Sequence, residues 1–181
     1  MAYENYENMN EDLDLKLNIN SSEASDYENL VSQILSRISD LSSAGFEQLV
    51  VDLLIRMGYE VYKNAKRRIS SSAIQGIIIE DGPGYRPVYI QTRKLEKGSI
   101  ITSWSMQGFG DAVKRKAGRG LLVTNANFSK PAQQYAKETH IILIDGNILA
   151  RLMIVHNFCM NIREVVEIKS IDPNAFKDYE I

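Results

Sequence analysis

Cysteine is almost missing from this chain. Cys159 is the only one in 181 residues, so no internal disulfide can form and no cysteine-rich zinc site can be built. The setting this implies is a reducing, cytoplasmic one. Histidine is nearly as scarce. His140 precedes an apolar run and His156 ends a helical pattern. Neither has a Cys, His or Asp set near it, so both are read as structural. No apolar run approaches the ~20 residues needed to span a bilayer, and the first residues lack the apolar core of a signal peptide. No membrane association is expected. Gly82-Pro83-Gly84 is not followed by Lys-Ser or Lys-Thr, so it is a turn and not a phosphate loop.

A strong overall charge is also lacking, but the net −2 conceals an asymmetry. Residues 1–28 hold eight acidic side chains and one basic one, Lys16, and the rest of the chain carries an excess of five basic charges. Residues 1–26 are rich in Asn, Glu, Asp and Ser, the composition of an acidic, disordered tail. Residues 27–172 have the composition of one globular domain, and 173–181 read as a second tail. A mildly basic body fits an anionic partner.

What is present is a run of periodic segments. Leu30, Ile34, Leu35 and Ile38 give Tyr27–Asp40 a helical period, with Asp26 as its expected N-cap. Phe46, Val50, Leu53, Leu54 and Met57 give a second helix over Ala44–Met57. It is capped by Ser42 or Ser43, with Glu47 expected in a capping box, and Gly58 ends it. Tyr59–Tyr62 is a short strand. A third helix begins at Ile100 or Thr102 and runs to Lys116, with Met106, Phe109 and Val113 inward. Leu121–Thr124 is a strand. Ser129 caps a helix over Lys130–Glu138, Ile141–Ile144 is a strand, and Asn147–His156 is a helix. Val165–Ile171 is a last extended segment. Strands and helices that alternate after Ile100 imply parallel crossovers.

The chain centres on residues 74–94. Ile74–Glu80 is a β-branched strand, Asp81–Gly84 is turn chemistry, and Val88–Arg93 is a second strand with Pro87 ahead of it. Side chains alternate along a strand, so Gln91 and Arg93 share a face. Paired strands lie about 4.8 Å apart, which lets Gln75, Gln91 and Arg93 converge at one edge of the sheet.

Ala73-Ile-Gln-Gly76 followed by Tyr89-Ile-Gln-Thr-Arg-Lys94 resembles the catalytic core of the Mrr-like restriction endonucleases, of the PD-(D/E)XK class. Phe46-Glu-Gln-Leu-Val50, Leu53–Tyr59, Leu122-Val-Thr124, Phe128-Ser129 and Leu143-Ile-Asp-Gly146 extend the resemblance over about residues 41–172. It implies an α/β fold: a restriction-endonuclease-like mixed sheet with an αβββαβ core, flanked by helices. The family's nuclease part often follows a winged-helix-like domain that reads DNA. The residues ahead of the domain leave no room for one, so recognition by that route is not expected.

The resemblance also implies a site. The family holds Mg²⁺ with a helix Glu, a strand Asp and the Gln or Glu of the next strand, beside a Lys. Glu47 matches the helix Glu and Gln91 the second-strand position, but Gln75 stands where the Asp belongs and Arg93 where the Lys belongs. An amide carries no charge for a hard cation, and a guanidinium stays protonated at any working pH. No native metal or cofactor is therefore expected, with Glu47 and Gln91 the ligands if any, and Mg²⁺ the cofactor if the site is active. The implied partner is DNA, contacted by Lys63, Lys66, Arg67, Arg68, Lys94 and Lys97. Lys114, Arg115, Lys116 and Arg119 form a third basic group that could flank the same cleft. A homodimer or an active nuclease subunit would be a further partner. Two other readings stay open: an active Mg²⁺-dependent endonuclease with a non-standard site, and a protein–protein module that keeps only the fold.

The acidic tail suggests a mask over the basic cleft. Deletion of residues 1–28 is expected to raise DNA affinity in a salt-sensitive way; an affinity equal to that of the whole chain rejects the mask.

Overall fold

The computed structural model describes residues 24–63, 76–79, 88–116 and 118–161. The helices form where the apolar stripes require them. Helix α1 spans Ala24–Asp40 and buries Val31, Ile34 and Ile38. Helix α2 spans Ser43–Arg56 and buries Phe46, Val50, Val51, Leu53 and Leu54. Ser42 is its N-cap, and the Ser42 hydroxyl accepts from Gly45 N at 3.0 Å. Gly58, at φ +94°, turns the chain out of α2 through a conformation that other residues rarely adopt. Strands β1 (Glu60–Lys63), β2 (Gly76–Ile79) and β3 (Val88–Arg93) follow, then β4 (Ile100–Ile101) and helix α3 (Ser103–Arg115). Strand β5 (Arg119–Thr124), β6 (Asn127–Phe128), helix α4 (Lys130–Thr139), β7 (Ile141–Ile144) and helix α5 (Gly146–Val155) complete the order. Ser129 caps α4, with a proline in the first turn, and Asp145 caps α5 by accepting from Ile148 N at 2.9 Å.

The main sheet has the order β1-β2-β3-β5-β7. The first three strands are an antiparallel meander, with Lys63 opposite Gly76 and Gly76 opposite Ile90. β5 pairs parallel to β3, and β7 parallel to β5. Parallel neighbours need a crossover, supplied here by α3 and α4. Val88, Ile90, Leu121, Val123 and Ile144 face α1, α2 and α5 in one core. Tyr89, Leu122, Ile141 and Leu143 face α3 and α4 in the other. The molecule is thus a mixed sheet between two helical layers.

Three local expectations differ from the structure. α1 opens at Ala24, so Asp26 lies in its first turn, where a carboxylate favours the helix dipole, and does not cap it. Ser42 as cap puts Gly45 at the third position, so Glu47 sits beyond the reach of a capping box. The two-residue strands β4 and β6 form a small parallel ladder, Ile100 with Asn127 and Ile101 with Phe128, too short to leave a period in the sequence. Ile74, Gln75, Glu80, the turn at 81–84, the segment 165–171 and both tails beyond 24–161 lie outside the described residues. Among the described residues no helix is long and apolar enough to cross a membrane.

The start of α5 is tightly seated. A Cβ on Gly146 would lie 2.7 Å from the backbone oxygen of Asn125 and 3.0 Å from Leu35 Cδ2. The obstacle is main chain, which cannot turn aside. Gly146→Ala is expected to cost about 2 kcal/mol and to lower Tm by about 4–8 °C in thermal unfolding.

Candidate functional site at the carboxyl edge of the sheet

β3, β5 and β7 all end at one edge of the sheet, and β1 runs toward it. Open α/β sheets place ligands at this carboxyl edge. Alternation along β3 puts Val88 and Ile90 on the α1/α2/α5 side, so Gln91 and Arg93 share the Tyr89 side, which α3 covers. Gln91 is only 3% exposed. It is engaged by its neighbours, while its Oε1 atom is buried without a hydrogen-bond donor. Arg93 is half-buried, and that burial pulls its pKa down from the usual guanidinium range. The starting point is so high that the group stays cationic.

The edge is pinned across the parallel ladder. Gln91 pairs with Leu122 and Arg93 with Thr124. The fully buried Thr124 donates its hydroxyl to Arg93 O at 2.7 Å and accepts from Ala126 N at 3.2 Å. Asn125 then reads the next loop as a strand would. Its Oδ1 accepts from Leu95 N at 2.7 Å and its Nδ2 donates to Leu95 O at 2.9 Å. Arg93, Lys94 and the start of the 94–99 loop are therefore fixed relative to the end of β5.

Glu47 lies on α2, which starts at this edge and descends the opposite face of the sheet. The structure thus places Glu47 at the same end as Gln91 and Arg93, on a helix packed against the other side. The backbone of Lys63 ends β1 level with Ile90, three residues short of Arg93, on a strand that runs toward this edge. Lys94 and Lys97 follow β3 in the loop. Lys97 lines a cavity of about 300 Å³ with Ser32, Ser36 and Ser39 of α1 and with Asn125. Gln75, Lys66, Arg67 and Arg68 lie outside the described residues. Among the described residues no three of His, Cys, Asp and Glu come together as a metal site.

The third basic group is not at this edge. α3 descends from the carboxyl edge, so Lys114, Arg115 and Lys116 reach the far end. There Lys116 Nζ lies 5.3 Å from the centre of the Tyr89 ring. Arg119 pairs with Val88 at the start of β3, roughly 16 Å from Arg93 at ~3.3 Å per residue. Lys94 and Lys97 therefore lie at one end of the sheet and Lys114, Arg115, Lys116 and Arg119 at the other. Sequence reasoning missed Thr124 and Asn125, whose roles appear only once β3 and β5 are adjacent. It also missed the exposed pair Ile100 and Trp104. Trp104 is two residues out of phase with the inward Met106, a legible sign that it points to solvent.

A mixed sheet with this strand order, two helical layers and a polar carboxyl edge defines the restriction-endonuclease-like class. The solved structure of the DNA modification-dependent restriction endonuclease AspBHI superposes with a TM-score of 0.55, at 15% identity, over 70% of this chain and 34% of that one. The MspJI restriction endonuclease in complex with a 27-mer oligonucleotide gives a TM-score of 0.48 at 22% identity, over 76% of this chain and 33% of that one. The Mrr-type restriction endonuclease family model matches residues 38–153, and the chain belongs to that family. The type IV methyl-directed restriction enzyme EcoKMrr of Escherichia coli (strain K12) is 26% identical over 153 residues, covering 82% of this chain and 49% of that protein. The chain spans about half the length of this curated relative.

Asn125 makes a direct prediction. Asn125→Ala leaves the part-buried Leu95 N–H and C=O without their partners and is expected to cost about 2 kcal/mol. Hydrogen exchange at the Leu95 amide should accelerate markedly; unchanged protection there would show that the loop is held by something else.

Proposed function

We propose that this chain is a DNA-binding protein of the Mrr type whose phosphodiester cleavage is weak or lost, and which serves as a partner or regulatory subunit in restriction of foreign DNA. The observation that carries this reading is Arg93, a half-buried permanent cation at the strand end where the family has a lysine. A lysine there can shift its pKa and exchange a proton; a guanidinium is confined to clamping an anion such as phosphate.

Family hydrolysis draws on Mg²⁺, which polarises the phosphate and lowers the pKa of an attacking water. Mg²⁺ needs oxygen ligands, carboxylates above all. The donor set of this edge does not fit it. Gln91 offers a neutral amide and Arg93 adds a fixed positive charge, which leaves Glu47 as the one carboxylate of the set. Gln75 supplies another neutral amide by sequence.

DNA contact rests on Lys94 and Lys97 at the edge and on Lys63 at the end of β1, joined in sequence by Lys66, Arg67 and Arg68. Such cations hold phosphates without choosing a sequence. The partner is another nuclease subunit or a second copy of this chain.

The test pairs binding with nicking. The protein should bind DNA at ~50 mM salt with a steep salt dependence and leave a supercoiled plasmid intact in Mg²⁺ or Mn²⁺. The double variant Gln75→Asp/Arg93→Lys, which restores the family pattern, should bind as well and gain cleavage of at least about tenfold. Cleavage by the unaltered protein that Glu47→Ala abolishes would establish an active endonuclease instead. Absence of binding even at ~50 mM salt would leave a protein–protein module.

A further inference from the structure

Trp104 is the only tryptophan in the chain. It is 79% exposed, on the first turn of α3. Ile100, four residues earlier on β4, is 58% exposed. Burying either in the protein core would remove a large apolar surface from water, yet both face solvent. Their backbone is firmly held. β4 is laddered to β6, Ser129 N donates to Ile101 O at 2.9 Å, and Ser105 Oγ donates to Thr102 O at 2.8 Å across the first turn of α3. Ile101, Met106 and Phe109 anchor the same segment in the core. An indole is thus presented on a rigid base.

The location bears on what it meets. α3 covers the sheet face that carries Gln91 and Arg93, and it begins at the carboxyl edge where they end. Residues 93–105 contain three cations, Arg93, Lys94 and Lys97, against one carboxylate, Glu96. We propose that Trp104, flanked by Ile100, is a stacking platform for an unpaired base of single-stranded or locally opened DNA whose phosphates lie on the Arg93–Lys97 edge. The inference rests on the DNA-binding reading above and adds the form of DNA preferred and the residue that selects it. Every base offers a π-face to an exposed aromatic. A base in a perfect duplex must first be unstacked, whereas one in a single strand or a mismatch is already available.

A second copy of the chain is a poorer occupant. Trp104 and Ile100 of both copies together bury roughly 600–800 Å² at most, still below the roughly 1,200 Å² of a stable interface. A two-fold contact would also bring Lys94 and Lys97 towards their own copies.

Because Trp104 is unique, its fluorescence reports this site alone. The full chain is titrated with a short mixed-sequence DNA as single strand, mismatched duplex and perfect duplex, and labelled-DNA anisotropy gives affinity in parallel. The expected result is quenching of Trp104 by the single strand and the mismatch, both bound more tightly than the perfect duplex. Trp104→Ala should weaken single-strand binding about tenfold with its salt slope unchanged, and Trp104→Tyr should restore most of it. Lys94→Ala should instead flatten the slope by about one unit. Binding with neither quenching nor any effect of Trp104→Ala overturns the platform and leaves the DNA-binding reading intact. Absence of DNA binding at low salt overturns both. A fluorescence change that follows protein concentration without DNA, together with a dimer that Trp104→Ala dissociates, assigns the patch to a second copy and overturns the platform.

Discussion

The parallel ladder between β3 and β5 is the constraint on which the rest of the molecule depends. Parallel strands cannot be joined by a tight turn. The chain leaving β3 at Arg93 must therefore travel the full height of the sheet before it can begin β5. α3 makes that journey, and its 13 residues span about 20 Å. Whatever stands early in α3 stays beside the end of β3, and whatever stands late is carried to the other end. The separation of Lys94 and Lys97 from Lys114 and Lys116 follows from this connection, as does the placing of Trp104 at the end of α3 nearest the carboxyl edge.

Much of the architecture was legible because the residues announce it locally. The β-branched run at 76–79, the strand at 88–93 and the stripes on α1 and α2 carry their periods on their faces. The alternation of strands and helices past Ile100 gave the parallel half of the sheet. β4 and β6 were not legible, since two residues have no period and the pair exists only through each other. The cap of α2 was narrowed to Ser42 or Ser43, which both have the right side chain, and only the backbone decides for Ser42.

The site was legible in part. Alternation alone places Gln91 and Arg93 on one face, and the structure agrees. No period says on which side of the sheet the helix carrying Glu47 will pack; that is settled by the apolar stripe of α2 meeting Val88 and Ile90. Thr124 and Asn125 were silent in the sequence. Their side chains do the work of a strand across a loop, and a side chain that substitutes for backbone pairing is recognisable only when its partner is in place.

The far pole of the molecule offers a practical convenience. α5 starts at the carboxyl edge and descends to the opposite end, where Asn157 and Cys159 turn the chain with φ of 48° and 58°. Cys159 is exposed and unique. A thiol-reactive dye attached there stands clear of Arg93 and forms, with the lone indole, a one-donor, one-acceptor ruler along the height of the sheet.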